Sequence, residues 1–145
     1  MFFYVRDLKA HAVWSATPRP VRTAPRRFQA YFSEGCAEFI RTDRDLTTRS
    51  RWIVSPTDDV EIRSISLANG GKTARELDVT SYMEVVMAPA DADLSHPAFS
   101  NLFVQTEFVQ SLNAILCSRR PRTSSEPTLW MFHALAGGGE GKPGK

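Results

Sequence analysis

Glu61 and Glu84, or Asp91 and Asp93, are the residues of this chain that could act as the carboxylate pair of a glycosidase. Such a pair needs one acid with a raised pKa, held across a cleft from its partner. Here the glutamates fall on the polar side of alternating segments near Arg63, and the aspartates fall in a proline-containing loop. That placement suits ion pairing and loop solvation, so no catalytic residue is expected. His11, His96 and His133 are far apart and in neither HxH nor HExxH spacing, so no metal site and no cofactor is expected. No serine sits in a G-x-S-x-G elbow, and there is no Walker loop.

The tryptophans and arginines offer binding chemistry instead. Sugar C–H faces stack on aromatic rings, so an exposed Trp beside Arg or Asp would make a carbohydrate platform. Trp52 and Trp130 read as core residues, whereas Trp14, in a proline-rich stretch, is balanced between core and platform. Arginines gather at Arg19, Arg22, Arg26 and Arg27, at Arg41, Arg44, Arg49 and Arg51, and at Arg119, Arg120 and Arg122. Acidic residues interleave with the second group and prolines interrupt the others, which favours a solvated β surface or a domain interface over nucleic acid.

Elements of period 2 must position these residues. The 145-residue chain is 42% hydrophobic and 23% charged, enough for one soluble domain with a real core. A formal charge of +2 does not imply a nucleic-acid partner. Cys36 and Cys117 form no framework, so a reduced, cytoplasmic setting is the expectation. No apolar run approaches the roughly 18 residues of a membrane span.

Residues 2–6 read as a short β opening and 12–27, with Pro18, Pro20 and Pro25, as an extended loop. Residues 27–33, 36–42 and 46–54 alternate as strands, with reversals at Glu34-Gly35 and Asp43-Arg44. Asn69-Gly70 signals a tight hairpin that would pair Ile62 with Leu77 and Val60 with Val79. Ile65 and Leu67 then fall on the polar side, which implies a bulge near Ser64 or a second layer over that end. Residues 88–100 read as a crossover with one helical turn at 90–94. Residues 102–109 and 113–119 form a further hairpin, and 129–136 a last strand. The expected fold is an all-β antiparallel sandwich of about nine strands over residues 1–136, followed by a flexible Gly-rich tail at 137–145.

Several stretches carry a family likeness. Arg6-Asp7, then Val13-Trp14-Ser15-Ala16-Thr17 and Pro20, are followed in order by FSEGCAEF, DVEIRSISLAN, RELDVTSYMEVVMAP, HPAFSNLFVQTE and RRPR…LWMFHAL. This order and spacing over residues 4–136 resembles the amino-terminal sandwich of the phosphorylase unit in cyclic β-1,2-glucan synthases and oligosaccharide phosphorylases. These are glycosyltransferase family 36, now glycoside hydrolase family 94. The resemblance implies part of a galactose mutarotase-like β-supersandwich, joined in that family to an (α/α)₆ barrel that holds the general acid and the phosphate pocket. It implies scaffold, carbohydrate or domain-interface roles for Trp14, Ser15, Glu61, Arg63, Tyr82, Glu84, His96, Pro97, Phe103, Arg119 and Arg120. The chain covers about half of such a supersandwich, as a truncated or split gene product would.

The reading is a non-catalytic, carbohydrate-associated sandwich whose partner is a catalytic barrel domain or polypeptide. A β-glucan oligosaccharide is a candidate ligand, and open strand edges imply self-association. A free-standing carbohydrate-binding module and a structural remnant without function are the rival readings.

Overall fold

The structure, a computed structural model, describes residues 1–95, 97–121, 123–124 and 126–137. Among the described residues it is nearly all β, with ten strands in three antiparallel sheets, and it divides into two compact units, Met1–Met83 and the chain from Glu84 onward.

The first unit holds β1 (Phe2–Asp7), β2 (Ala12–Ser15), β3 (Arg27–Ser33), β4 (Cys36–Asp43), β5 (Leu46–Val54), β6 (Glu61–Asn69) and β7 (Leu77–Tyr82). They form a three-stranded sheet in the order β2-β1-β7 and a four-stranded sheet in the order β3-β4-β5-β6. Alternation decides which side chains meet. Val5 and Trp14 from the small sheet and Leu46 from the large one are buried together. Ala12, Ile65, Leu67 and Leu77 pack around them. Fully burying a side chain such as Val5 or Leu46 stabilises by about 1.5–3 kcal/mol.

Turn chemistry sets the ends of these strands. Gly35 takes φ +64° between β3 and β4, at the predicted Glu34-Gly35 reversal. The next reversal sits one residue later than expected, at Arg44-Asp45, with Arg44 at φ 54°. Between β1 and β2 the Asp7 Oδ1 accepts from the Lys9 and Ala10 amides at 3.1 and 2.9 Å, a side-chain turn that reverses the chain.

The structure corrects three local expectations here. Residues 12–15 are a strand rather than the start of a loop, because Trp14 anchors them against β1 through the Val5–Trp14 pair. The tight hairpin at Asn69-Gly70 does not form. β6 continues the ladder of β5 from Leu46–Asn69 to Val54–Glu61, whereas β7 leaves to pair with β1. Asn69 spends its side chain on the departure: Nδ2 donates to the Thr73 carbonyl at 2.8 Å and Oδ1 accepts from the Gly71 amide at 3.1 Å. The place of Ile65 and Leu67 follows. The β5–β6 register passes Ser64 without interruption, and the second layer, not a bulge, covers them.

The second unit begins with a segment carrying two short helices, α1 (Ala90–Ser95) and α2 (Pro97–Asn101). β8 (Val104–Val109), a 3-10 turn at Gln110–Leu112 and β9 (Ala114–Arg119) then make the expected hairpin. Asn113 closes that turn in the left-handed region at φ 46°, where Asn is tolerated. β10 (Leu129–Ala134) pairs with the other edge of β9. Cys117, in the centre, is buried, and burial pushes its thiol pKa up. The predicted Gly-rich tail lies, from residue 138 on, outside the described residues.

Candidate functional site

The inner face of the four-stranded sheet has two ends. Strand parity and register put Phe28, Ala30 and Phe32 of β3 on it, with Ala37, Phe39, Arg41 and Asp43 of β4. Thr48, Ser50, Trp52 and Val54 of β5 and Glu61 and Arg63 of β6 share it.

At one end Arg41 is 0% exposed. Its Nε and Nη2 grip Asp43 in a fork at 2.6 and 2.9 Å. Its Nη1 and Nη2 also donate to the carbonyls of Thr17 and Thr23 at 3.2 and 2.8 Å. One guanidinium therefore holds the proline-rich segment 16–26 on the sheet. The expectation that the Arg41, Arg44, Arg49 and Arg51 group is a solvated surface is corrected for Arg41. The spacing Arg41-x-Asp43, on the same parity as Phe39, was the readable sign that both charges share the inner face.

At the other end the face is aromatic and open. Phe39 stacks on Phe28 with centroids 6.3 Å apart, meets Phe32 edge-on at 5.9 Å and tilts against Trp52 at 4.7 Å. The Arg63 guanidinium lies 4.0 Å over the Trp52 ring, which brings together two residues singled out from the sequence. Arg63 also donates to the Met1 carbonyl at 2.9 Å and pairs with Glu61, so Glu61 is occupied by an ion pair. Trp52 is half-buried, and its Nε1 donates to Ser50 Oγ at 2.8 Å. Phe32 stands 76% exposed.

The remaining candidates are dispersed. Trp14 is a core residue, and Ser15 is fully buried with its hydroxyl donating to the Thr17 carbonyl at 2.7 Å. Tyr82 is half-exposed at the end of β7. Glu84 is exposed at the start of the second unit. His96, and the side chain of Pro97, lie outside the described residues.

In the second unit Phe103, Arg119 and Arg120 do meet. Both guanidiniums lie 5.5 Å from the Phe103 ring, and Phe99 meets that ring edge-on at 5.3 Å. Arg119 is buried, donating to the Val86 carbonyl at 3.4 Å. Trp130 is not a core residue as expected. It and Phe132 share one face of β10, each 64% exposed, while the opposite parity faces Cys117 and Arg119. Alternation marks both faces of a strand equally and cannot tell which one is covered.

Two carboxylates outside the predicted pairs are held low by specific partners. Asp7 is held below its usual pKa by the Ala10 amide and by Arg75, whose Nη1 lies 2.6 Å from Oδ2. Glu38 is likewise lowered by Arg49, at 2.8 Å. A glycosidase acid requires the opposite direction. Among the described residues no three of His, Cys, Asp and Glu converge to hold a metal ion.

Comparison with known proteins fits this picture. Residues 1–143 match the family described as glycosyl hydrolase 94, supersandwich domain. The chain belongs to that family. It is 38% identical over 134 residues to the cyclic beta-(1,2)-glucan synthase NdvB of Rhizobium meliloti (strain 1021), which covers 92% of this chain. It is 26% identical over 78 residues, 54% of the chain, to a 3-O-beta-D-glucopyranosyl-beta-D-glucuronide phosphorylase of Paenibacillus borealis. The chain spans only 5% and 10% of the lengths of these two relatives. As a supersandwich domain it corresponds to the accessory part of glycosyl hydrolase 94 enzymes, and no catalytic domain is evident among its described residues.

Proposed function

We propose that residues 1–136 form a non-catalytic accessory domain of a glucan synthase or glucan phosphorylase, packing against the (α/α)₆ catalytic barrel that the family resemblance implies. One observation carries this reading: the open aromatic end of the four-stranded sheet's inner face, where Phe32 and Val54 are 76% and 55% exposed. Large exposed apolar patches on a soluble domain mark interfaces. Glu61, Arg63 and Tyr82 would frame that contact, and Glu84, Phe103, Arg119 and Arg120 a second one. The test is co-expression with the barrel region of a related synthase, followed by size exclusion. Co-elution that weakens on Phe32→Asp supports the reading, and independent elution of the two parts overturns it.

The exposed strand edges also support self-association when the barrel is absent. Light scattering that reports a stable monomer at high concentration argues against it. The free Cys36 and Cys117 support a cytoplasmic setting.

A second reading, a carbohydrate-binding module, rests on Trp130 and Phe132. Two residues apart on one strand face, they stand roughly 7 Å from each other. Gln105 and Glu107 occupy matching positions across the sheet on β8 and could hydrogen-bond sugar hydroxyls. A saturable change in Trp fluorescence with β-1,2-gluco-oligosaccharides, lost on Trp130→Ala, would favour the module. No response leaves the docking role or a purely structural one.

A further inference from the structure

The first unit contains a cavity of about 390 Å³, within the range of roughly 300–1,000 Å³ typical of small-molecule sites. Its wall includes Asp7, Asp43, Arg26, Arg44, Arg75 and Trp14. Both carboxylates are committed. Asp7 accepts from two backbone amides and from Arg75, and Asp43 takes the fork of Arg41.

Arg75 is committed to Asp7 through Nη1, but other donors on the wall are not. Trp14 is only 6% exposed, yet its Nε1–H has no acceptor, and the buried Nε–H of Arg75 has none either. Both nitrogens are sealed by protein atoms rather than open to the cavity, so the wall's open donors are its exposed arginines. Arg26 and Arg44 are exposed there and take part in none of the ion pairs found among the described residues. The wall thus carries spare donors and an excess of positive charge, with its acceptors used up.

We propose that this cavity binds a small oxyanion, a phosphate or carboxylate group that is either free or carried on a monosaccharide. Guanidinium groups match the oxygen edge of such groups, and charge-assisted bonds to them are the stronger kind. A neutral sugar would gain nothing from the excess charge. The inference is independent of the docking role, which uses the other end of the sheet.

The experiment follows the indole N–H resonances of the three tryptophans in the ¹⁵N-labelled full chain at constant ionic strength. Inorganic phosphate, glucose 1-phosphate and glucuronate are titrated separately, with glucose as the neutral control. The expected result is a saturable shift of the Trp14 signal with at least one oxyanion and none with glucose. The tightest of the three separates a free anion from a sugar phosphate or a sugar acid. In the double variant Arg26→Gln/Arg44→Gln, which alters only exposed side chains, apparent affinity should fall by roughly tenfold or more as charge-assisted bonds are lost. An unmoved Trp14 signal, an equal response to glucose, or an unchanged affinity in a double variant of normal Tm would each overturn the proposal.

Discussion

The two ends of the four-stranded sheet's inner face are built from the same alternation and reach opposite outcomes. At the Arg41 end a second layer and a proline-rich segment cover the strands, and even a full charge is buried with its donors matched. At the Phe32 end the side chains are more apolar, yet Phe32 and Val54 face solvent. Burial here follows what lies opposite a strand, not how hydrophobic the strand is.

Substitutions can break this contrast, beginning with the largest effect. Arg41→Leu strands Asp43 and two loop carbonyls, and losing one partner of a buried ion pair costs about 3–5 kcal/mol. Urea denaturation should show that loss, and a shift within error of wild type would mean that the clamp is ornamental. Arg63→Ala removes a guanidinium stacked on Trp52 and should cost about 0.5–2 kcal/mol in the same assay. A near-zero value would place Arg63 with the open end rather than between the two.

Asp7→Asn tests the covered end through pH. Its folded pKa lies below the ordinary 3.8, so the stability it gives is fully present above that value and is lost as pH falls through the folded pKa. Wild type should therefore lose stability on acidification below about pH 4 more steeply than the variant. Parallel urea midpoints against pH would show that Asp7 is not the group responsible. Smallest of all, Phe32→Ser should change unfolding by no more than about 0.5 kcal/mol, the usual range for surface sites. Its measurable effect should be on association, seen by light scattering.

Much of the architecture was legible in the sequence because strands announce themselves locally. β3, β4, β5 and the β8–β9 hairpin follow from alternation and turn residues alone. Partner choice is not local. Asn69-Gly70 fits a tight hairpin as well as it fits a strand leaving for another sheet, and only the distant β1 decides between them. β2 was hidden because three nearby prolines outweigh four residues of strand signal, although Trp14 gave a reason to look. Trp14 and Trp130 ended on opposite sides of the core boundary for the same cause, since a residue's parity does not reveal which layer covers it. The contact of Phe103 with Arg119 and Arg120 emerged from residues chosen by family likeness, and Arg63, chosen the same way, met Trp52, which reads as core from the sequence, while Arg75 and the Arg41–Asp43 pair went unread as participants.

The Arg41 fork also constrains chain length. Because a single rigid side chain touches both Thr17 and Thr23, insertions or deletions between those two positions would force one carbonyl to give up its donor. Length changes among relatives that keep this arginine should therefore fall outside that interval, where no single group measures the distance.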